Sequence, residues 1–100
     1  MKDKLKEEFK RACDHINGGY YEEEHISVCY IQYHGMLLEL HSGNTLNGYS
    51  PNGTLGIGDV KEFKCRDTDI ITGKREPVIE IVGHDSKVFI GKSDVHYLSA

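Results

Sequence analysis

The stretch "TLGIGDVKEFKC", residues 54–65, decides how this chain is read. Leu55 and Ile57 alternate with Gly56 and Gly58, and a charged run around Phe63 follows. Alternation with a period of two marks an extended strand. Glycine at alternate positions of a strand marks a strong bend or a close approach of backbone. The segment therefore reads as a strongly bent strand, and its neighbours must pair with it.

Upstream, "HISVCYIQY" (residues 25–33) is rich in β-branched and aromatic residues. Ile26, Val28 and Tyr30 share one face and Cys29 and Ile31 the other, so this strand expects cover on both sides. "MLLELH" (36–41) is a second apolar strand, and "SGNTLNGYSPNG" (42–53) has the Gly, Asn, Ser and Pro density of turns. Downstream, "RDTDIITGKREP" (66–77) reads as a polar loop. "VIEIV" (78–82), "KVFI" (87–90) and "VHYL" (95–98) are short strands, with turn chemistry in "GHDS" (83–86).

The N-terminus has a different period. Leu5, Phe9, Ala12, Cys13 and Ile16 recur at spacings of three and four, which draws one apolar stripe along a helix. Asn17-Gly18-Gly19 supplies the stop. The expected architecture is mainly β: a helix over residues 1–19, then a small open barrel of five to six strands over 25–98. The 100 residues make one domain. A domain this small buries only about 60–70% of its unfolded surface, so self-association would add useful burial.

The formal charge of −4 excludes a non-specific coat for nucleic acid, which needs a basic surface. It leaves room for a local RNA site built from a few donors and stacking faces. The N-terminal residues are charged throughout, without the apolar core of a signal peptide, and no run approaches the ~18 apolar residues of a membrane span. Three separated cysteines, without a CxxC pair, read as reduced thiols in a cytoplasmic protein. The six histidines form no HExxH and no close Cys/His cluster, so neither metal nor cofactor is expected. "GKS" at 91–93 lacks the upstream glycine and the following helix of a phosphate loop. No catalytic activity is expected.

Three patterns then coincide in order. Gly43 and Gly48 stand five apart after the strand 38–41. Leu55, Ile57 and Asp59 alternate into an acidic residue. "VFIGKSDVHYL" (88–98) sets Val88, Phe89 and Ile90 against Val95, Tyr97 and Leu98 across a short break. With the leading helix, this arrangement resembles the Sm/LSm family, which includes Hfq and Sm-like proteins of archaea and phage. The chain departs from the family pattern at Gly91-Lys92, where the family carries Arg-Gly, and in a shorter segment between Gly48 and Leu55.

The resemblance implies an SH3-like open barrel. It also implies a homo-oligomeric ring of about five to seven subunits, closed by edge-to-edge strand pairing. In that ring Val88, Phe89, Ile90, Val95, Tyr97 and Leu98 make the subunit interface. Single-stranded RNA then meets pore-facing loops at Tyr49, Asn52, Thr54, Lys92 and Ser93. The alternative is a small β-barrel interaction or structural module that binds a protein or small molecule without RNA. The acidic balance and the missing arginine favour that second class.

Overall fold

A helix, α1 (Asp3–Ile16), opens the chain and eight strands follow. They are β1 (Gly19–Glu23), β2 (Val28–Tyr33), β3 (Met36–His41), β4 (Thr45–Ser50), β5 (Gly53–Thr68), β6 (Arg75–Gly83), β7 (Ser86–Gly91) and β8 (Val95–Ser99). The computed structural model describes residues 3–25, 27–33, 35–41, 44–50, 53–91 and 95–99. Gly43, half of the glycine pair noted above, lies outside them.

The helix follows its stripe. Leu5, Phe9, Ala12, Cys13 and Ile16 are all buried. It ends in a Schellman pattern, with Gly18 N–H on the Cys13 carbonyl at 2.9 Å and Asn17 N–H on that of Asp14 at 3.3 Å. The left-handed residue is Asn17 (φ 59°) and not a glycine. Gly18 answers a different need: a Cβ there would lie 2.9 Å from the Ile31 side chain.

The eight strands form an antiparallel sheet in sequence order, with β1 and β8 at its two edges. β5 is the hinge of the sheet. Its first part pairs with β4 and its later part with β6. Register shifts set Ile57 and Lys61 outside the regular ladder, on either side of Asp59 and Val60. Such bulges bend the strand that carries them. Gly58, at φ +79°, takes the backbone conformation that the first bulge needs. The sheet thus divides into an N-terminal half, β1 to β5, and a C-terminal half, β5 to β8.

The inner faces of both halves share one core with the helix. Cys29, Ile31, Leu38, Leu40, Leu46 and Ile57 come from the first half, and Phe63, Ile79, Ile81, Val88 and Ile90 from the second. Phe9 lies between them, its ring centroid 5.1 Å from that of Phe63 and 6.1 Å from that of Tyr20. Polar bonds tie the helix to the sheet. Glu8 Oε1 accepts the Phe63 N–H at 3.2 Å, just past the second bulge. His15 Nε2 donates to the Arg66 carbonyl at 2.6 Å, and Lys6 pairs with Glu22 at 2.7 Å.

The mainly β class with its leading helix agrees with the sequence, but the strand count is eight, not five to six. β1 and β4 are the additional strands, and β5 and β6 are longer than the sequence suggested. The helix stops at Ile16, and Gly19 already begins β1. β4 lies inside the stretch with turn composition, because Leu46 packs in the core and Asn47 and Tyr49 pair with β3. β5 runs on to Thr68 and β6 begins at Arg75, so the polar loop is shorter than its composition implied. Pro77, which lacks an N–H for the ladder, falls at a register shift between Arg66 and Thr68. In each case cross-strand pairing overrides local propensity.

Candidate binding face

The resemblance implies two pore-facing loops, one with Tyr49, Asn52 and Thr54 and one with Lys92 and Ser93. The described residues beside them, Thr54 and Gly91, align with opposite ends of β5. Tyr49 pairs with Thr54 at the start of β5, beside the β4–β5 turn, and is 37% exposed. Lys92 and Ser93 lie outside the described residues, as does Asn52. Gly91, which precedes Lys92, pairs with Val78, and Val78 pairs with Arg66 near the far end of β5. Thr54 and Arg66 are separated by roughly 40 Å of extended chain. The cause is the up-and-down order: β5 and β7 run the same way on either side of β6, so Gly91 ends β7 level with Arg66.

The expected interface residues also divide. β7 has β6 on one side and β8 on the other, so it is not a free edge. Val88, Phe89 and Ile90 are buried within the chain. The open edge on that side belongs to β8, which carries Val95, Tyr97 and Leu98.

What the fold does assemble is the outer face of the N-terminal half. Register places Tyr21, Tyr30, Glu39, Asn47 and Gly56 in one row across β1 to β5. Gln32, Leu37, Tyr49 and Thr54 make a parallel row, and Glu23, Val28 and His41 a third. Side chains alternate across a strand, so the partners of these residues, such as Cys29, Ile31, Leu38 and Leu40, turn into the core.

Three tyrosines stand on this face, and Tyr21 is the most exposed at 57%. Gly56 ends the central row with bare backbone, because a Cβ there would meet nothing within 4 Å. Glu39 Oε2 lies 3.0 Å from His41 Nε2. Burial, followed by the nearby carboxylates of Glu23 and Glu39, raises the pKa of the Tyr30 hydroxyl above its ordinary value. The field at the face is therefore negative. No lysine or arginine belongs to the three rows among the described residues.

Aromatic rings with carboxylates and amides bind cations and amphipathic groups well. They lack the cations that phosphates need. Among the described residues no three His, Cys, Asp or Glu side chains gather in a group that could hold a metal ion. Of the residues singled out from sequence, the face includes Tyr49 and Thr54. Tyr21, Tyr30, Gln32 and Asn47 escaped that reading because they come from separate strands. The one local signal was the alternation in residues 28–32, which already set Val28 and Tyr30 apart from Cys29 and Ile31. Compared with protein-family models, curated proteins and solved structures, the chain has no significant match.

Proposed function

We propose that this protein is a non-catalytic binding module. Its working surface is the outer face of the N-terminal half, and its ligand is a protein that presents basic side chains. The row Tyr21–Tyr30–Glu39–Asn47–Gly56 carries the reading: it offers rings and a carboxylate, and it holds no lysine or arginine. Tyrosine is a low-entropy anchor at protein interfaces, and a guanidinium stacks on its ring while bonding a carboxylate.

A fluorescent nona-arginine peptide titrated at low salt tests it. The wild type is expected to bind, and Tyr30→Ala combined with Glu39→Gln to weaken binding about thirtyfold, the scale of one interface hot spot. Gly56→Val fills the open row and is expected to weaken binding without lowering the melting temperature. A wild type that ignores the peptide, or variants that bind equally well, would remove this function.

A second reading keeps the ring and the RNA of the Sm-like resemblance. It is supported by exposed Tyr49 opposite Thr54 and by the open edge of β8. Edge pairing at β8 would close the ring, with RNA held by stacking at the β4–β5 turn. Binding of oligo-U, oligo-A or mixed RNA at low salt would support it, and failure of all three would end it.

A further inference from the structure

The outer face of the C-terminal half has the opposite character. Register sets Lys64, Glu80 and Phe89 in one row, Glu62, Val82 and Lys87 on one side of it, and Arg66, Val78 and Gly91 on the other. Glu80 is 1% exposed. Its Oε1 takes Nε and a terminal nitrogen of Arg66, each at 2.7 Å. Its Oε2 is buried without a hydrogen bond, and the ammonium groups of Lys64 and Lys87 stand off at 3.8 and 4.0 Å. Glu62 returns one more carboxylate, 3.7 Å from Lys64.

Lys64, Arg66 and Lys87 therefore surround the carboxylates of Glu80 and Glu62, and a third carboxylate, Glu76, lies beside Gly91 with Lys74 4.0 Å away. Of this cluster Lys64, Arg66 and Lys87 reach solvent with side chains 46%, 38% and 52% exposed against one exposed carboxylate, Glu62, so its exposed charge is net positive. The N-terminal half offers Glu23 and Glu39 with three tyrosines, and no lysine or arginine among the described residues of the three rows. Both halves turn their inner faces to one core, so these two outer faces look away from each other.

We propose that the partner of the acidic tyrosine face is a second copy of this chain, docked through the basic Lys64–Arg66–Lys87 face of its C-terminal half. This rests on the binding face proposed above and names its occupant. Lysine stems lie over the tyrosine rings while their ammonium groups reach Glu23 and Glu39. The contact is head-to-tail: the dimer keeps one unused face of each kind, so association continues beyond it. Charge complementarity makes it sensitive to salt.

Light scattering across a concentration series tests the assembly. At low salt the mass is expected to climb with concentration, and at about 0.5 M salt to fall to one chain. Glu23→Gln/Glu39→Gln removes the acidic partner and Lys64→Gln/Lys87→Gln the basic one. Each double variant is expected to associate at least tenfold more weakly by itself. Mixed in equal amounts, they are expected to form a capped dimer, because each supplies the face that the other lacks.

A wild type with the mass of one chain at every concentration in low salt overturns the proposal. So does an oligomer whose mass ignores salt and both variants, or a mixture that forms no dimer. The nona-arginine titration separates the two claims. Peptide binding by a monomeric wild type ends self-docking while the acidic face stands as a site for another protein; loss of both ends both.

Discussion

Arg66→Met is expected to lower the unfolding free energy by about 3–5 kcal/mol, because it leaves a buried carboxylate without its hydrogen-bonding cation. Glu80 is almost wholly enclosed, and Arg66 supplies both of its short contacts. Lys64 and Lys87 are near enough to soften the loss and too far to replace the bonds, which favours the lower end of the range. For a domain of this size a loss of ~3 kcal/mol lowers the melting temperature by roughly 12–24 °C.

Removing both partners should act differently. Arg66→Met with Glu80→Met takes away the charge that needed compensation, and it is expected to recover most of the loss. Urea denaturation of wild type, both single variants and the double variant measures the coupling directly. A cost below about 1 kcal/mol for Arg66→Met would show that water or the lysines solvate Glu80 adequately.

Phe9→Ala is expected to cost about 3–5 kcal/mol, the range for deleting a large buried aromatic side chain. Phe9 is fully buried, and its ring touches the rings of Tyr20 on β1 and Phe63 on β5. The cavity would open where the helix joins the two halves of the sheet. Small domains hold only about 5–15 kcal/mol in total, so this variant should be close to unfolding at body temperature. Phe9→Leu keeps most of the volume and should cost about 1.5 kcal/mol or less. Circular dichroism during urea titration distinguishes them. Equal midpoints for wild type and Phe9→Ala would mean that the helix stripe does not hold the sheet halves together.

The elements differ in how far they could be read from sequence. All five stripe residues of α1 are buried, because a spacing of three and four puts them on one side whatever the helix meets. The alternation in β2 was equally readable, with Cys29 and Ile31 in the core. β4 was hidden: Asn47, Gly48 and Ser50 have turn propensity, and only pairing with β3 and β5 makes them a strand. β1 was hidden for a similar reason. Glu22 and Glu23 look like a solvated run, yet Glu22 pairs with Lys6 of the helix and accepts the Tyr20 hydroxyl at 2.9 Å.

The site was less legible than the fold. Tyr49 and Thr54 are close in sequence and close in space. The other residues of the face come from strands far apart in the chain, and register alone brings them into rows. Glu80 is a single acidic letter in "VIEIV", and its burial follows from Arg66, Lys64 and Lys87 on the flanking strands.

The sequence by itself determined the helix, its apolar side, the bend near Gly56 and Gly58, and the mainly β class. These depend on local periodicity and on backbone freedom at single residues. The tertiary structure decided the number of strands, which edges stay open and which residues share a face. It also decided that Ser50 and Gly91 align with opposite ends of β5. β6 runs against β5 and β7 against β6, so Gly91 ends level with Arg66 and not with Thr54. Local pattern marked residues 78–82 and 87–90 as strands, but strand order and register are set by pairing between distant segments and by the burial of both sheet halves against one helix.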